Sequence, residues 1–365
     1  MIIVKCSLFM KVILKIGTSV LVNNINGLDL VLMQNLVCEI SRVYNQGVQI
    51  ILITSGAVAT GREMVNNLLS RSSFAALGQT KLIKYYYDFF GEQGIQIAQV
   101  LLSANSFKNR SRFNLLKETL TQLTDNRIIP IINENDTTVL KDSFGDNDSL
   151  AAIISVLVSA QKLVFLTDLD GLYSSDPKTG KNARLIKEVE SVDLEIQRMC
   201  SKNTSKLGQG GMLSKLKGAK LATTCGIDAF IMSGLNPDNI SKLLLNNQPV
   251  GTKFTSRKSH LSERKKRLLI GTISESRIIV DQGARKALED KNSLLAVGLR
   301  GIKGDFMKGD FVNIIDKKGE VFAFGVVNYG SKELMPLLSL RDKDEIRRLF
   351  RKAVVHIDNL ILLKC

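Results

Sequence analysis

A chain of 365 residues with 44% hydrophobic and 23% charged residues can bury more than one core, so a disordered polypeptide is excluded and two domains are expected. The formal net charge of +15 is unevenly placed: residues 256–365 carry 23 Lys and Arg against 14 Asp and Glu, and residues 1–255 carry 27 against 21. Such a basic balance admits nucleic acid, an acidic partner or no charged partner at all, and does not choose among them.

The five cysteines, Cys6, Cys38, Cys200, Cys225 and Cys365, are odd in number, contain no C-x-x-C and have no histidine at ligand spacing. Neither a disulfide framework nor a zinc site is expected, and a reduced, cytoplasmic protein fits. Met1 to Met10 are apolar apart from Lys5, but the run continues into Lys15-Ile16-Gly17 with no small-residue cleavage site. It reads as a short extension or as a start codon called early, with the start left open between Met1 and Met10. No stretch is long and apolar enough for a membrane-spanning helix.

Along the chain, apolar runs rich in β-branched residues alternate with segments of helical period: Val12 to Ile16, Val48 to Thr54, Ile95 to Leu102, Ile128 to Ile132, Leu163 to Thr167 and Ala229 to Met232. Several are apolar at consecutive positions, as parallel strands covered on both faces require. The expected class is α/β, an αβα sandwich of three layers on a mainly parallel sheet. Around Thr255 the character changes to a polar, basic stretch containing Arg257-Lys258 and Arg264-Lys265-Lys266-Arg267. This predicts a larger domain over 10–255, a basic linker over 256–276 and a smaller domain over 277–360. The last contains Arg277 to Val280, Phe311 to Ile315 and Val321 to Val327, short strands between Gly-containing turns that predict a small β-rich barrel.

Chemistry is expected at the strand ends, where open α/β sheets bind ligands. Both histidines, His260 and His356, lie beyond the larger domain, which excludes histidine acid-base catalysis there. The strand ends offer lysine, glycine, hydroxyl, Asn and Asp, a set suited to phosphoryl transfer, where charge neutralisation and alignment matter most.

Lys15-Ile16-Gly17-Thr18-Ser19 leaves the first strand, with a glycine that lets amides approach a phosphate and a lysine that adds a point charge; an ordinary turn would look the same. Thr54-Ser55-Gly56-Ala57 ends one strand and opens a helix, where free amides would hold a carboxylate or Ser55 would act as a simple N-cap. Gly56 and Gly61 have P-loop spacing, but Arg62-Glu63 stands where Lys and Ser or Thr are required. Ile132-Asn133-Glu134-Asn135-Asp136 and Gly145-Asp146-Asn147-Asp148 bring short polar side chains before the apolar helix Leu150 to Val158. Their carboxylates suit a substrate ammonium and neighbouring lysines, although turns and caps use the same residues. Leu166 to Tyr173 contains Thr167-Asp168 at a strand end, and Gly208-Gln209-Gly210-Gly211-Met212-Leu213-Ser214-Lys215 is a glycine-rich loop expected to open a helix.

In order and spacing these five elements resemble glutamate 5-kinase, the gamma-glutamyl kinase of proline biosynthesis within the amino-acid kinase superfamily. The resemblance implies a transferase that moves a phosphoryl group from Mg-ATP to the γ-carboxylate of L-glutamate, with ATP and Mg²⁺ as cofactors and no protein metal site. It implies catalytic roles for Lys15, Lys215 and Asp148, the aspartate aligning the two lysines. ATP contacts would come from Lys15, Gly17, Thr167, Asp168, Gln209, Gly210, Gly211, Met212, Leu213, Ser214 and Lys215. Glutamate contacts would come from Ser55, Gly56, Asn135, Asp136 and Asn147.

Gln209 and Ser214 depart from the family's G-T-G-G-M-x-T-K, each keeping a hydrogen-bonding side chain. The segment from Arg277 to Leu360, with Val280-Asp281-Gln282-Gly283-Ala284 and Lys308-Gly309-Asp310, resembles a PUA domain, a class that elsewhere binds RNA. A homotetramer and feedback inhibition by proline are implied in the same way. The alternatives are another carboxylate or phosphate acceptor, as in aspartate, acetylglutamate or uridylate kinases, and an RNA-binding protein acting through the PUA-like part.

Overall fold

The computed structural model describes residues 10–23, 27–65, 68–107, 110–137, 146–175, 177, 183–193, 196, 211–256, 262, 266, 276–340 and 342–362. The first nine residues, Gly145, Gly208, Gln209, Gly210 and most of the stretch expected as a linker lie outside the described residues. The chain divides into two compact units, residues 1–103 with 117–259 and residues 104–116 with 260–365.

In chain order the elements of the first part are β1 (Lys11–Ile16), α1 (Thr18–Leu21), β2 (Val22–Asn23), β3 (Gly27–Leu28), α2 (Leu30–Asn45), β4 (Gln49–Ile53), α3 (Ala57–Met64) and α4 (Arg71–Glu92). There follow β5 (Ile97–Leu102), α5 (Arg110–Asp125), β6 (Ile129–Glu134), α6 (Asn147–Leu157), β7 (Lys162–Thr167), β8 (Glu188–Val189), α7 (Met212–Thr224), β9 (Asp228–Ser233), α8 (Asn239–Leu244) and β10 (Thr252–Phe254). Eight of the strands form one sheet in the order β5-β6-β4-β1-β7-β9-β10-β8. Every pairing from β5 to β9 is parallel; β10 runs antiparallel to β9 and parallel to β8.

β1 sits between β4 and β7, and the alternation of its side chains decides what each face meets. Val12, Leu14 and Ile16 join Ile50, Leu52, Ile131, Val164 and Met232 in a core closed by residues of α2, α4 and α8. Ile13 and Lys15 point to the opposite face, where α6 lies on β1 and β7, and α7 on β7 and β9. A sheet apolar on both faces has to be covered twice, and the fully buried runs of β1, β4, β6 and β7 follow from that. Lys15 is the exception within β1: a cation placed by strand parity under the helix layer.

The strand expected to end at Ile132 runs on to Glu134, because β5 continues to pair with it through Leu101 to Asn133 and Leu102 to Glu134. Asn133 and Glu134 are therefore buried strand residues and not part of the following turn.

The second unit holds β11 (Arg277–Val280), α9 (Gln282–Glu289), β12 (Leu299–Lys303), β13 (Phe311–Ile315), β14 (Val321–Val327), α10 (Ser331–Leu334), α11 (Lys343–Leu349) and β15 (Val355–Leu362). The strands form a five-stranded sheet in the order β12-β11-β13-β14-β15, antiparallel except for β11 beside β13. Its core is its own, built around Ile278, Val280, Leu288, Val312, Ile314, Phe322, Leu334 and Val355.

Candidate active site

The first residues of α6 organise the site. Asp146 is the N-cap, its carboxylate accepting from the Ser149 amide, so Asn147 and Asp148 stand in the first turn above the C-terminal ends of the strands. Asp148 is completely buried, with Oδ1 2.8 Å from Lys15 Nζ and Oδ2 3.1 Å from Lys215 Nζ. Lys15 comes from the end of β1 and Lys215 from the first turn of α7, 200 residues further along. Strand parity and two helix starts thus bring three charges to one point.

The electrostatics of this triad are unequal. Burial pulls the Asp148 carboxyl upward, but the two ammonium groups outweigh it and hold it below the usual aspartate range. Burial lowers Lys15, with Asp148 opposing and Lys215 adding to the shift. The cluster is a cationic centre, two ammonium groups sharing one carboxylate, and it suits an anion as third party.

Asn147, the neighbouring residue, faces the other way. Its Nδ2 donates to the Thr54 carbonyl at 2.8 Å, Ser55 Oγ at 3.0 Å and Asn133 Oδ1 at 3.0 Å, while its Oδ1 is buried with no partner among the described residues. Ser55 is not the N-cap of α3. That position falls to Gly56, whose φ of +103° is disfavoured for a residue with a side chain, and α3 has no side-chain cap. α7 likewise starts on Gly211 without one, whereas α2 and α4 are closed by Asp29 and Ser70. α3 and α7 thus leave first-turn amides for an anion, whereas α6 beside them is closed by Asp146.

Gly17 is held by its amide on the Leu166 carbonyl at 3.0 Å, and Thr167 Oγ1 and Ser19 Oγ both donate to Asp168 Oδ1, at 3.1 and 2.9 Å. Met212 and Leu213 are half-buried in the first turn of α7, and Ser214 Oγ is buried without a partner among the described residues. Asp136 faces the Arg71 guanidinium at 3.6 Å. Asn135 is turned into local structure: its Oδ1 accepts from the amide and hydroxyl of Thr137. Lys15, Asp148 and Lys215 are thus brought together, as are Ser55 and Asn147, while Asn135 is engaged in a turn.

Three polar residues not singled out from sequence also belong here. Ser19 holds Asp168; Asn133 accepts from Asn147 and from the Glu134 amide; Gln79 Oε1 accepts from Asn133 Nδ2 at 2.8 Å. Asn133 and Ser19 were readable as members of their motifs, but Gln79 sits in mid-helix with no local signal. Unpartnered buried groups at Asn147 and Ser214, together with open helix starts, fit a phosphate donor on one side of α6 and a small polar acceptor on the other.

The amino acid kinase family matches residues 10–233 and the PUA domain matches residues 276–358. Glutamate 5-kinase of Proteus mirabilis is 40% identical over 96% of this chain and 98% of its own length. That of Photorhabdus laumondii is 38% identical over 96% and 98%, and that of a Thermoanaerobacter strain 36% identical over 97% and 98%. Among solved structures, T. acidophilum isopentenyl phosphate kinase aligns with a TM-score of 0.47 at 20% identity, over 67% of this chain and all of that one. With a match that runs through both units, the chain belongs to the amino acid kinase family, among the glutamate 5-kinases that carry a PUA domain.

Proposed function

We propose that the protein transfers the γ-phosphoryl group of ATP to the γ-carboxylate of L-glutamate, giving L-glutamyl 5-phosphate and ADP, the first step towards proline. The observation that carries this reading is the pair of consecutive residues at the start of α6: Asp148 gathers two lysines, and Asn147 faces a pocket of hydroxyl, amide and carbonyl groups.

In the reaction one carboxylate oxygen forms a bond to the γ-phosphorus as the bond from that phosphorus to the ADP oxygen breaks, in line. The glutamate side chain has a reference pKa of about 4.3, so it is already an anion at neutral pH and needs no general base. The barrier comes from bringing two anions together, and Lys15 and Lys215 offset it, held by Asp148 so that no reorganisation is needed as charge shifts. Mg²⁺, which prefers phosphate oxygens and water, would be carried on the triphosphate and neutralise part of its charge. Gly17, Thr167, Asp168 and the α7 start, Gly211 to Lys215, form the nucleotide side, with Gln209 and Gly210 assigned there from sequence.

On the acceptor side, Asp136 and the free Oδ1 of Asn147 accept from the α-ammonium, with Ser55, Gly56 and Asn135 lining the same end. We place the domains at 10–255 and 277–360 with a basic linker between them. A reduced cytoplasmic setting suits an ATP-dependent enzyme, and among the described residues no helix is long and apolar enough to cross a membrane. A homotetramer inhibited by proline is the family expectation that we carry forward. Structured RNA is the polyanion we propose for the basic second unit.

The test is ADP release by purified protein with glutamate, aspartate, acetylglutamate and UMP in parallel, adding hydroxylamine to trap an acyl phosphate. Glutamate alone is expected to give turnover and hydroxamate. Turnover with another acceptor and none with glutamate would overturn the assignment.

A further inference from the structure

α4 is long, mostly amphipathic and outside every motif of the site, yet one face of it contacts two of the three residues to which Asn147 donates. Gln79 Oε1 accepts from Asn133 Nδ2 at 2.8 Å, and the buried Tyr86 hydroxyl is 2.9 Å from Thr54 Oγ1. Gln79 and Tyr86 are seven residues apart, two helical turns, so they project from the same side. Asn133 Oδ1 and the Thr54 carbonyl are in turn two of the three acceptors of Asn147 Nδ2.

The polarity of this relay follows from groups that cannot be reversed. The Glu134 amide can only donate, so the atom of Asn133 facing it at 2.9 Å is the oxygen. Asn133 therefore presents its NH₂ to α4, where only an acceptor satisfies it, and Gln79 supplies one. The same oxygen of Asn133 receives Asn147 Nδ2, which leaves Asn147 Oδ1 as the buried group without a partner among the described residues. An acceptor of this kind takes a donor such as an ammonium, and not a carboxylate.

We propose that Gln79 is a positioning residue for the amino-acid subsite: by holding Asn133 from α4 it fixes the Asn147 amide so that its oxygen faces the substrate. This rests on the reading of Asn147 as a contact of the amino-acid acceptor. Gln79 touches neither lysine of the triad, so the nucleotide side is untouched.

The experiment compares Q79M, Q79E and N147A in the full chain, measuring KM for glutamate, KM for ATP, kcat and the melting temperature. Methionine keeps the length and removes the acceptor; glutamate keeps an acceptor oxygen. Loss of one buried hydrogen bond predicts that Q79M raises KM for glutamate about tenfold, with KM for ATP and kcat within about twofold. The melting temperature should hold, Q79E should restore KM towards the parent value, and N147A should raise KM for glutamate at least as much as Q79M. Unchanged KM for glutamate in Q79M beside a raised value in N147A overturns the role of Gln79 and leaves the reading of Asn147 standing. No change in either overturns both. Equal damage in Q79M and Q79E, or a fall in melting temperature with both KM values raised, would mean that Gln79 serves packing and not positioning.

Discussion

Lys15 and Asp148 are coupled but respond to pH in opposite ranges. Asp148 is held below its ordinary pKa, so the stability it contributes is complete above the unfolded value and is lost only as pH falls through the folded one, in acid. Lys15 is lowered first by burial, so between its folded value and 10.5 the native state binds fewer protons than the unfolded state at this position. Within that window stability from this group rises with pH while the cation we propose to act in the transfer disappears. The expected result is an alkaline fall in kcat/KM for ATP that begins below pH 10.5, with no parallel fall in melting temperature. A profile flat to pH 10.5 would contradict it. D148N removes the carboxylate charge that both ammonium groups contact, and that loss among buried cations should cost about 3–5 kcal/mol in urea unfolding and about 10²-fold or more in kcat. At this scale the triad was legible because Lys15 opens a recognisable motif and Asp148 and Lys215 each close one. Gln79 was not: its role exists only where α4 passes β6.

Among the elements, the α3–α4 crossing shows what glycine can do that no pattern of apolar residues reveals. A Cβ on Gly78 would lie 1.8 Å from the Ala57 carbonyl oxygen and 2.4 Å from the Gly61 amide nitrogen, and one on Gly61 would lie 1.9 Å from the Phe74 carbonyl oxygen. The two helices touch backbone to backbone, and nothing flexible can give way. In the same helix a Cβ on Gly91 would meet no atom within 4 Å. G78A is therefore expected to destabilise by about 3 kcal/mol through overpacking, whereas G91A should be neutral or stabilising by up to about 1 kcal/mol. Urea unfolding with a constant m-value compares them. Because α3 starts at Gly56 beside Ser55, G78A should raise KM for glutamate as well; equal effects of the two substitutions would show that the crossing is not close. The long parallel strands were readable as consecutive apolar runs. β8 and β10, with two and three residues, are too short to leave a pattern, and β12 has Arg300 and Gly301 between Leu299 and Ile302 and ends on Lys303. In β6 the polar Asn133 and Glu134 ended the apolar run before the strand itself ended.

Over the whole molecule, the change of character near Thr255 precedes a second buried cluster, whose residues among those described run from Ile278 to Leu360. Ile278 and Val280 of β11, Val312 and Ile314 of β13, Phe322 of β14 and Val355 of β15 are buried together with Leu288 of α9 and Leu334 of α10. Arg285 adds an ionic fastening, paired with Asp316 at 2.7 Å and Glu320 at 2.9 Å and lying over the Phe322 ring. A segment with its own buried cluster and paired strands should fold by itself. Residues 276–362 expressed alone are expected to unfold cooperatively in urea, with a stability of about 5–10 kcal/mol for a domain of that size. A gradual, non-cooperative change would show that this core depends on the rest of the chain. The same fragment tests the charge argument. Counting the stretch that precedes it, residues 256–365 carry nine more basic than acidic residues, 23 against 14. If that excess serves RNA, a structured RNA should bind the full chain with an affinity that falls steeply as salt rises, and the fragment should retain the part of the slope carried by its own Lys and Arg. A salt-independent interaction, or none with the full chain, would leave the excess as ordinary solvated surface and the kinase site as the whole of the function.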